Sequence, residues 1–371
     1  MTDPQNQPIT PRPQITSEKG IRDYTFRVAI AFCVGTVFLL VIGMIVLAGQ
    51  VLLVIFAGIL LAVLLNGARN RLAEWLPISR NVALLAVMLL MVLVIGSAGY
   101  FLAPSVAKQI DPLLNTLPTS LERLLAYLEQ YEWTKELMGS IPAPSEIIGN
   151  VSGVLMQARF IFSGALGAVA NFVIILFVGI YLAAQPQVYI DGFLAMVPKR
   201  HRPRGREVFD ELGLTLELWL FGKLLSMTVV GVTAAIGLLL LDVPLAITLG
   251  VIAGLLDFIP YLGPVLAGVP AILMAFSESP TTALYVFFLF VGIQTAESYL
   301  LSPLVERKTV ALPPALTIGM QVLFAVPFGL MGVALASPMT AVLFVVIAML
   351  YVQDVLDDPV ETPGEKHQND D

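Results

Sequence analysis

Cysteine is nearly absent: Cys33 is the single one in 371 residues. An intrachain disulfide is therefore excluded, and so is a Cys/His metal framework. Histidine occurs twice, as His201 in a basic stretch and His367 near the end, so no HExxH zinc site exists. Charge is scarce as well. Asp, Glu, Lys and Arg make up 13% of the chain, about half of the ~25% usual in soluble domains. No GxxxxGK[ST] loop is present, so ATP is not the direct driver of any activity. No cofactor and no metal are expected. The basic run KRHRPRGR at 199–206 has no folded module around it, so nucleic acid is not expected as a partner.

What fills the chain instead is apolar: 57% hydrophobic residues and a mean hydropathy of +0.87. Repeated runs near the ~20 residues needed to cross a bilayer predict an all-α polytopic membrane protein with about eight membrane segments. Residues 1–27 are polar and rich in Pro and Gln, and read as a disordered cytoplasmic N-terminus. The apolar run from Val28 is too long for a signal-peptide core. Residues 28–103 hold three segments: Val28–Ala48, a return limb Val51–Leu65 after a tight hairpin at Gly49-Gln50, and Val82–Ala103. Residues 104–160 carry six acids, with Leu121, Leu124, Leu125 and Leu128 at helical spacing, and read as a small helical domain outside the bilayer that serves assembly or gating. Residues 161–219 give a fourth span, a basic loop at the anionic headgroups and an amphipathic helix. Residues 220–352 form the core described below, and 353–371 an acidic tail.

Lys and Arg set the orientation. They occupy the loops around Arg69–Arg80, Lys199–Arg206 and Arg307–Lys308, and are missing from 49–50, 242–244 and 277–280. This alternation puts both termini in the cytoplasm and residues 104–160 outside. It also makes Leu245–Phe276 enter and leave on one side. Its centre is GLLDFIPYLGP, residues 254–264. Prolines there remove backbone donors, and an acid at membrane depth costs about 2.5–3.5 kcal/mol on insertion scales. The stretch reads as a re-entrant hairpin with Asp257, Pro260, Tyr261, Gly263 and Pro264 at its tip. The span Thr281–Leu301 follows, and then a second apolar stretch from Leu312 that is interrupted at Pro327, Gly329 and Gly332. Two oppositely oriented broken hairpins in corresponding positions point to a transporter binding site.

The candidate site residues are of three kinds. At the first tip, the second limb is expected to start at Pro264, leaving free amides for ligand oxygens. Asp257 would take a cation, a proton or a ligand hydroxyl there, the plainer alternative being a cap on the tip's own amides. Gln294, Glu297 and Ser298 share a helix face by their i, i+3, i+4 spacing and either line the site or form an interhelical seam. Gln321 precedes the second break. Lys223 either pairs with Asp257 or Glu297 or, the favoured expectation, snorkels to the interface. Small-residue pairs such as Gly222/Ser226 and Thr233/Gly237 read as packing surfaces.

Asp257, Ile259, Pro260, Tyr261, Gly263 and Pro264, followed by Gln294, Glu297, Ser298, Tyr299, Pro303 and Leu312-Pro313 and then by Gly329 and Gly332, resemble the autoinducer-2 exporter (AI-2E) family across about residues 25–352. The resemblance implies a homo-oligomeric bacterial inner-membrane protein that exports a small polar solute such as autoinducer-2. Some relatives are described as sodium/proton antiporters. Two positions depart from the pattern: Lys223 stands where an uncharged polar residue is expected, and the loop after Pro303 reads LVERK. Other readings are a passive pore or scaffold and an intramembrane enzyme using Asp257 with Glu297. The enzyme reading lacks any Ser/His dyad or GxGD pair in the membrane, so no enzymatic activity is expected.

Overall fold

The computed structural model describes residues 18–128, 130, 165–301 and 313–358. Pro303, Arg307, Lys308, most of the acidic 104–160 region beyond residue 128 and the tail beyond residue 358 lie outside them. Among the described residues all regular structure is helical. Helix α1 is Glu18–Trp75, α2 Arg80–Leu128, α3 Ala165–Ala184 and α4 Pro186–Ala195. A short 3-10 turn leads into α5, Arg202–Leu240. Then come α6 (Ala246–Leu256), α7 (Leu262–Glu278), α8 (Pro280–Ala296), a π-helical turn Glu297–Leu301, α9 (Pro314–Ile347) and a π-helical end Ala348–Gln353. Among the described residues, four helical stretches are long and apolar enough to cross a membrane: Ala48–Trp75, Arg80–Phe101, Lys199–Leu240 and Pro314–Gln353. Ala170–Ala184 with Pro186–Ala195, bent by 85°, makes a fifth if counted as one. The chain is an all-α polytopic membrane protein. It divides into two compact units, Met1–Leu52 and Leu53–Asp371, and the candidate site lies in the second.

Two boundaries differ from expectation. The hairpin at Gly49-Gln50 does not form, because helix runs unbroken through both residues. A glycine inside a helix costs only about 1 kcal/mol, and no proline adds to it. The crossing count that put the N-terminus inside therefore loses one turn. Likewise α2 does not stop at 103–104 but continues to Leu128 through Pro104, Pro112 and Pro118. Each proline forfeits a helix bond, and packing compensates: Leu117 joins a core with Leu238, Leu249, Ala271 and Met274. Thr248 bonds Gln109, and Tyr127 meets Phe276 edge-on at 5.7 Å. The far end of α2 is thus a strut against the base of the α6–α7 pair.

That pair is the expected hairpin. Ala246 and Leu249 at the start of α6 pack with Leu273 and Met274 near the end of α7, so the limbs run antiparallel. At ~1.5 Å per residue the limbs are only about 16 and 26 Å long, and the first is too short to span. The second interruption also forms. Gly329 has φ 58° and ψ −144°, a conformation open essentially to glycine alone. A Cβ on Gly332 would collide with the carbonyl oxygen of Phe324. In a straight helix those residues would stand about 12 Å apart along the axis, so the chain doubles back. Gly263 meets the carbonyl oxygen of Leu256 in the same way in the first hairpin. Both turns use a glycine where the second limb passes the last carbonyls of the first.

Candidate functional site

The α5–α6 crossing sets the site. Gly250 and Gly254, one helical turn apart on α6, face Ala235 and Gly231 on α5. A Cβ added to Gly254 would lie 2.8 Å from the carbonyl oxygen of Met227 and 3.0 Å from the Cα of Gly231. Two backbones in contact bring the next turn of α6, ending at Asp257, against the start of the membrane part of α5. This GxxxG spacing is a sequence signal that the small-residue pairs named above did not include, and it is what the pairing of α5 with Asp257 rests on.

Asp257 is 1% exposed. Its Oδ2 lies 3.0 Å from Lys223 Nζ and accepts from Ser226 Oγ at 2.9 Å. Glu297 closes the group from the π turn. Its Oε1 lies 2.6 Å from Ser226 Oγ and 3.4 Å from Lys223 Nζ, and its Oε2 accepts from Gln294 Nε2 at 3.0 Å. Five side chains from α5, the break, α8 and the π turn therefore share one cluster. A charge pair this deep is tolerable only because each member has partners. Lys223 does not snorkel to the interface: its side chain is 12% exposed and turned inward, since two carboxylates within reach outweigh partial access to water. Nor does Asp257 cap the tip's amides. Its Oδ1 has no hydrogen-bond partner among the described residues.

The tip itself differs from a free helix N-terminus. Helix α7 begins at Leu262 rather than Pro264. Leu262 N–H donates to Pro260 O at 2.7 Å, and Gly263 N–H donates to Ile259 O at 2.9 Å. Pro264 has no N–H to offer. The amides expected to hold ligand oxygens are thus already used or missing. Tyr261, between them, has φ 64° and ψ −48°, close to a γ-turn that non-glycine residues rarely adopt. Its side chain is 46% exposed. Phe258 is pinned by Trp219 of α5, ring to ring at 5.7 Å.

The second hairpin reaches the first through Gln321. This side chain is fully buried and its Nε2 donates to Pro260 O at 2.9 Å. Its Oε1 has no partner among the described residues. Lys223, Ser226, Asp257, Glu297 and Gln294 are thus linked into one network, and Gln321 with Pro260 makes a separate bond three residues further along the same break. Ser298 belongs to neither, being exposed. The helix widens from α to π at Glu297, so α-helical i+4 spacing no longer holds it on the face of Gln294. Ser226, treated as a packing residue by sequence, is the bridge between the carboxylates. The basic run is also committed largely to protein partners. Arg204 bonds Asp354, Glu207, Gln353 and the carbonyl of Met349, Arg206 bonds Asp191 and Gln187, and Arg202 bonds the carbonyls of Val197 and Ala195.

A buried charge cluster at a helix break, met by a second broken helix, is a construction expected of solute and ion carriers. Comparison with known proteins agrees. The sequence pattern of the family described as "AI-2E family transporter" matches residues 32–351. The chain belongs to the AI-2E transporter family. It is 28% identical over 278 residues to "Putative transport protein YueF" of Bacillus subtilis, covering 71% of this chain and 75% of that one. It is 24% identical over 312 residues to "Putative transport protein YrrI" of the same organism, covering 79% and 86%. A "Putative transport protein" of Thermotoga maritima is 26% identical over 207 residues, covering 52% and 63%. An AI-2E member with these apolar helices is a multi-pass membrane transporter.

Proposed function

We propose that this AI-2E transporter is a secondary carrier of the bacterial inner membrane that exports a small polar solute, such as an autoinducer-2-like signal, by alternating access driven by a proton or cation gradient. The observation that supports this most is the cluster of Lys223, Ser226, Asp257 and Glu297 at the break of the first hairpin, joined to the second hairpin by the Gln321–Pro260 bond. Carboxylates held at a point where two hairpins meet can change partners when the hairpins part, and that couples charge binding to motion. Asp257, Glu297, Gln294 and Gln321 line the site, Pro260, Tyr261, Gly263 and Pro264 shape its tip, and Pro327, Gly329 and Gly332 are the matching break. The same carboxylates favour a second reading, exchange of a monovalent cation for protons.

The basic loop and the C-terminal end lie on the cytoplasmic side in this reading. The Arg204–Asp354 pair at 2.9 Å supports placing both on one face. A homo-oligomer is part of the proposal, since α2 presents Leu85, Leu89, Leu90 and Leu93 outward to lipid or to a second copy.

The test is flux in proteoliposomes with imposed proton or sodium gradients, using furanones and small polyols as candidate solutes. Asp257→Asn should abolish gradient-driven flux while the protein still inserts and assembles. Wild-type rates in that variant would sink the site assignment. Flux that ignores both gradients would point to a passive pore instead, and sodium-for-proton exchange with no solute would favour the second reading.

A further inference from the structure

Lys223 is placed as a transported cation would be. Its Nζ meets oxygens from two elements, Asp257 Oδ2 at 3.0 Å in the first break and Glu297 Oε1 at 3.4 Å in the π turn. Ser226 Oγ of α5 lies 2.9 and 2.6 Å from those same two oxygens. Carboxylate and hydroxyl oxygens are the ligands that hard cations take. An ammonium is a compact point charge on a flexible stem, so it matches such a set in charge and in coordinating chemistry. The surroundings also want positive charge. With Lys223 counted, Asp257 and Glu297 leave one formal negative charge. Asp257 Oδ1 and Gln321 Oε1 are buried acceptors with no partner among the described residues. Gln321 cannot be turned round to cure this, because its Nε2 is fixed by the carbonyl of Pro260.

We propose that the Lys223 ammonium is a tethered substitute for an alkali-metal cation, and that removing it uncovers a site for free sodium, potassium or lithium formed by Asp257, Ser226 and Glu297. The groups facing this position are Lys223 and Ser226 from α5, Asp257 from the break, Gln294 from α8 and Glu297 from the π turn. Gln321 of α9 approaches through Pro260. None of them but Lys223 carries positive charge. The tethered charge makes the site self-sufficient in salts that lack a small cation.

The claim concerns occupancy of the cluster and stands apart from the transport reading, so its test uses stability instead of flux. The full chain is purified in detergent. Its melting midpoint is read in choline chloride and in lithium, sodium and potassium chloride at equal ionic strength. Wild type should give one midpoint in all four salts. Lys223→Met, which keeps the length of the apolar stem, should melt lower in choline and recover saturably with at least one alkali cation. Lys223→Met combined with Asp257→Asn should lose that recovery, and Lys223→Arg, which keeps a tethered positive charge, should show no alkali-specific recovery. The proposal is overturned if Lys223→Met responds equally to all four salts, or if it fails to assemble even in alkali salts. A saturable alkali response in wild type that Asp257→Asn abolishes would equally overturn it, because a free cation would then bind beside the lysine.

Discussion

Gln321 donates its side-chain amide to the carbonyl oxygen of Pro260 at 2.9 Å, so a fully buried residue of the second hairpin holds the tip of the first. Pro260 carries that oxygen in a turn where the Leu262 amide also reaches it. The bond is therefore a direct tie between the two hairpins.

Replacing Gln321 by Leu leaves the Pro260 carbonyl with one donor fewer and removes an unpartnered Oε1 at the same time. The two effects oppose each other. A lost buried hydrogen bond costs about 1–3 kcal/mol when a partner is left unpaired, and burying a leucine there returns part of it. We expect a change of at most about 2 kcal/mol in denaturant-unfolding stability, together with a loss of flux much larger than that change would explain. Equal loss of folded protein and of flux would make Gln321 merely a structural tie.

Lys223, Asp257 and Glu297 should behave as one unit. Removing a single partner of a buried pair strands the other, at a cost of about 3–5 kcal/mol. Lys223→Met and Asp257→Asn should each destabilise the detergent-solubilised protein, and the double variant should be far less unstable than the sum. Strict additivity in thermal melts would show that the 3.0 Å contact carries little energy.

Gly254→Ala and Gly231→Ala should each be poorly tolerated. The added methyl of the first meets backbone atoms at 2.8 and 3.0 Å, and that of the second meets the Gly254 Cα at 3.1 Å. Backbone cannot swing aside as a side-chain tip can. Overpacking of this kind costs about 1–3 kcal/mol. Gly213→Ala, where an added Cβ meets nothing within 4 Å, serves as the control and should melt as wild type or slightly higher.

Tyr261→Gly should raise stability, because φ of 64° is strained for tyrosine at about 1–3 kcal/mol. If the strained conformation at a half-exposed aromatic is kept for a contact made during transport, flux and stability should move in opposite directions. Flux should therefore fall as the melting midpoint rises. A drop in both would mean that the ring packs more than the backbone suffers.

The first hairpin was legible in sequence because a break inside an apolar run is a one-dimensional signal: Asp257, Pro260 and Gly263 interrupt a stretch that hydropathy alone would make continuous. The second was legible for the same reason at Pro327 and Gly329. Gln294 and Glu297 followed from spacing on one helix. The partners of Asp257 did not follow, since Lys223 and Ser226 approach from residues 31 or more positions away. Which face of α5 meets α6 is decided by Gly231 and Gly254, whose importance is the absence of side chains. Ser298 was misplaced because the pitch of the helix changes under it. The turn at Gly49-Gln50 and the boundary at 103–104 failed for a common cause. Glycine or proline alone does not end a helix whose neighbours are strong formers or are held by packing. Pro303 lies outside the described residues, so its part in the second half rests on resemblance alone.

The contact between Gly231 and Gly254 has a mechanical corollary. Helices α5 and α6 touch backbone to backbone, with no side-chain cushion to shear, so Lys223, Ser226 and Asp257 travel as passengers on one rigid block. Any opening of the site must then follow a parting line elsewhere. The polar joints that cross that line are Glu297 against Ser226 and Lys223, and Gln321 against Pro260, beside apolar packing of Phe290 on Val230 and Ala234 and of Leu335 with Leu216 and Leu220. The glycine seam fixes α5 to α6, and the polar contacts to Glu297 and Gln321 lie outside that seam.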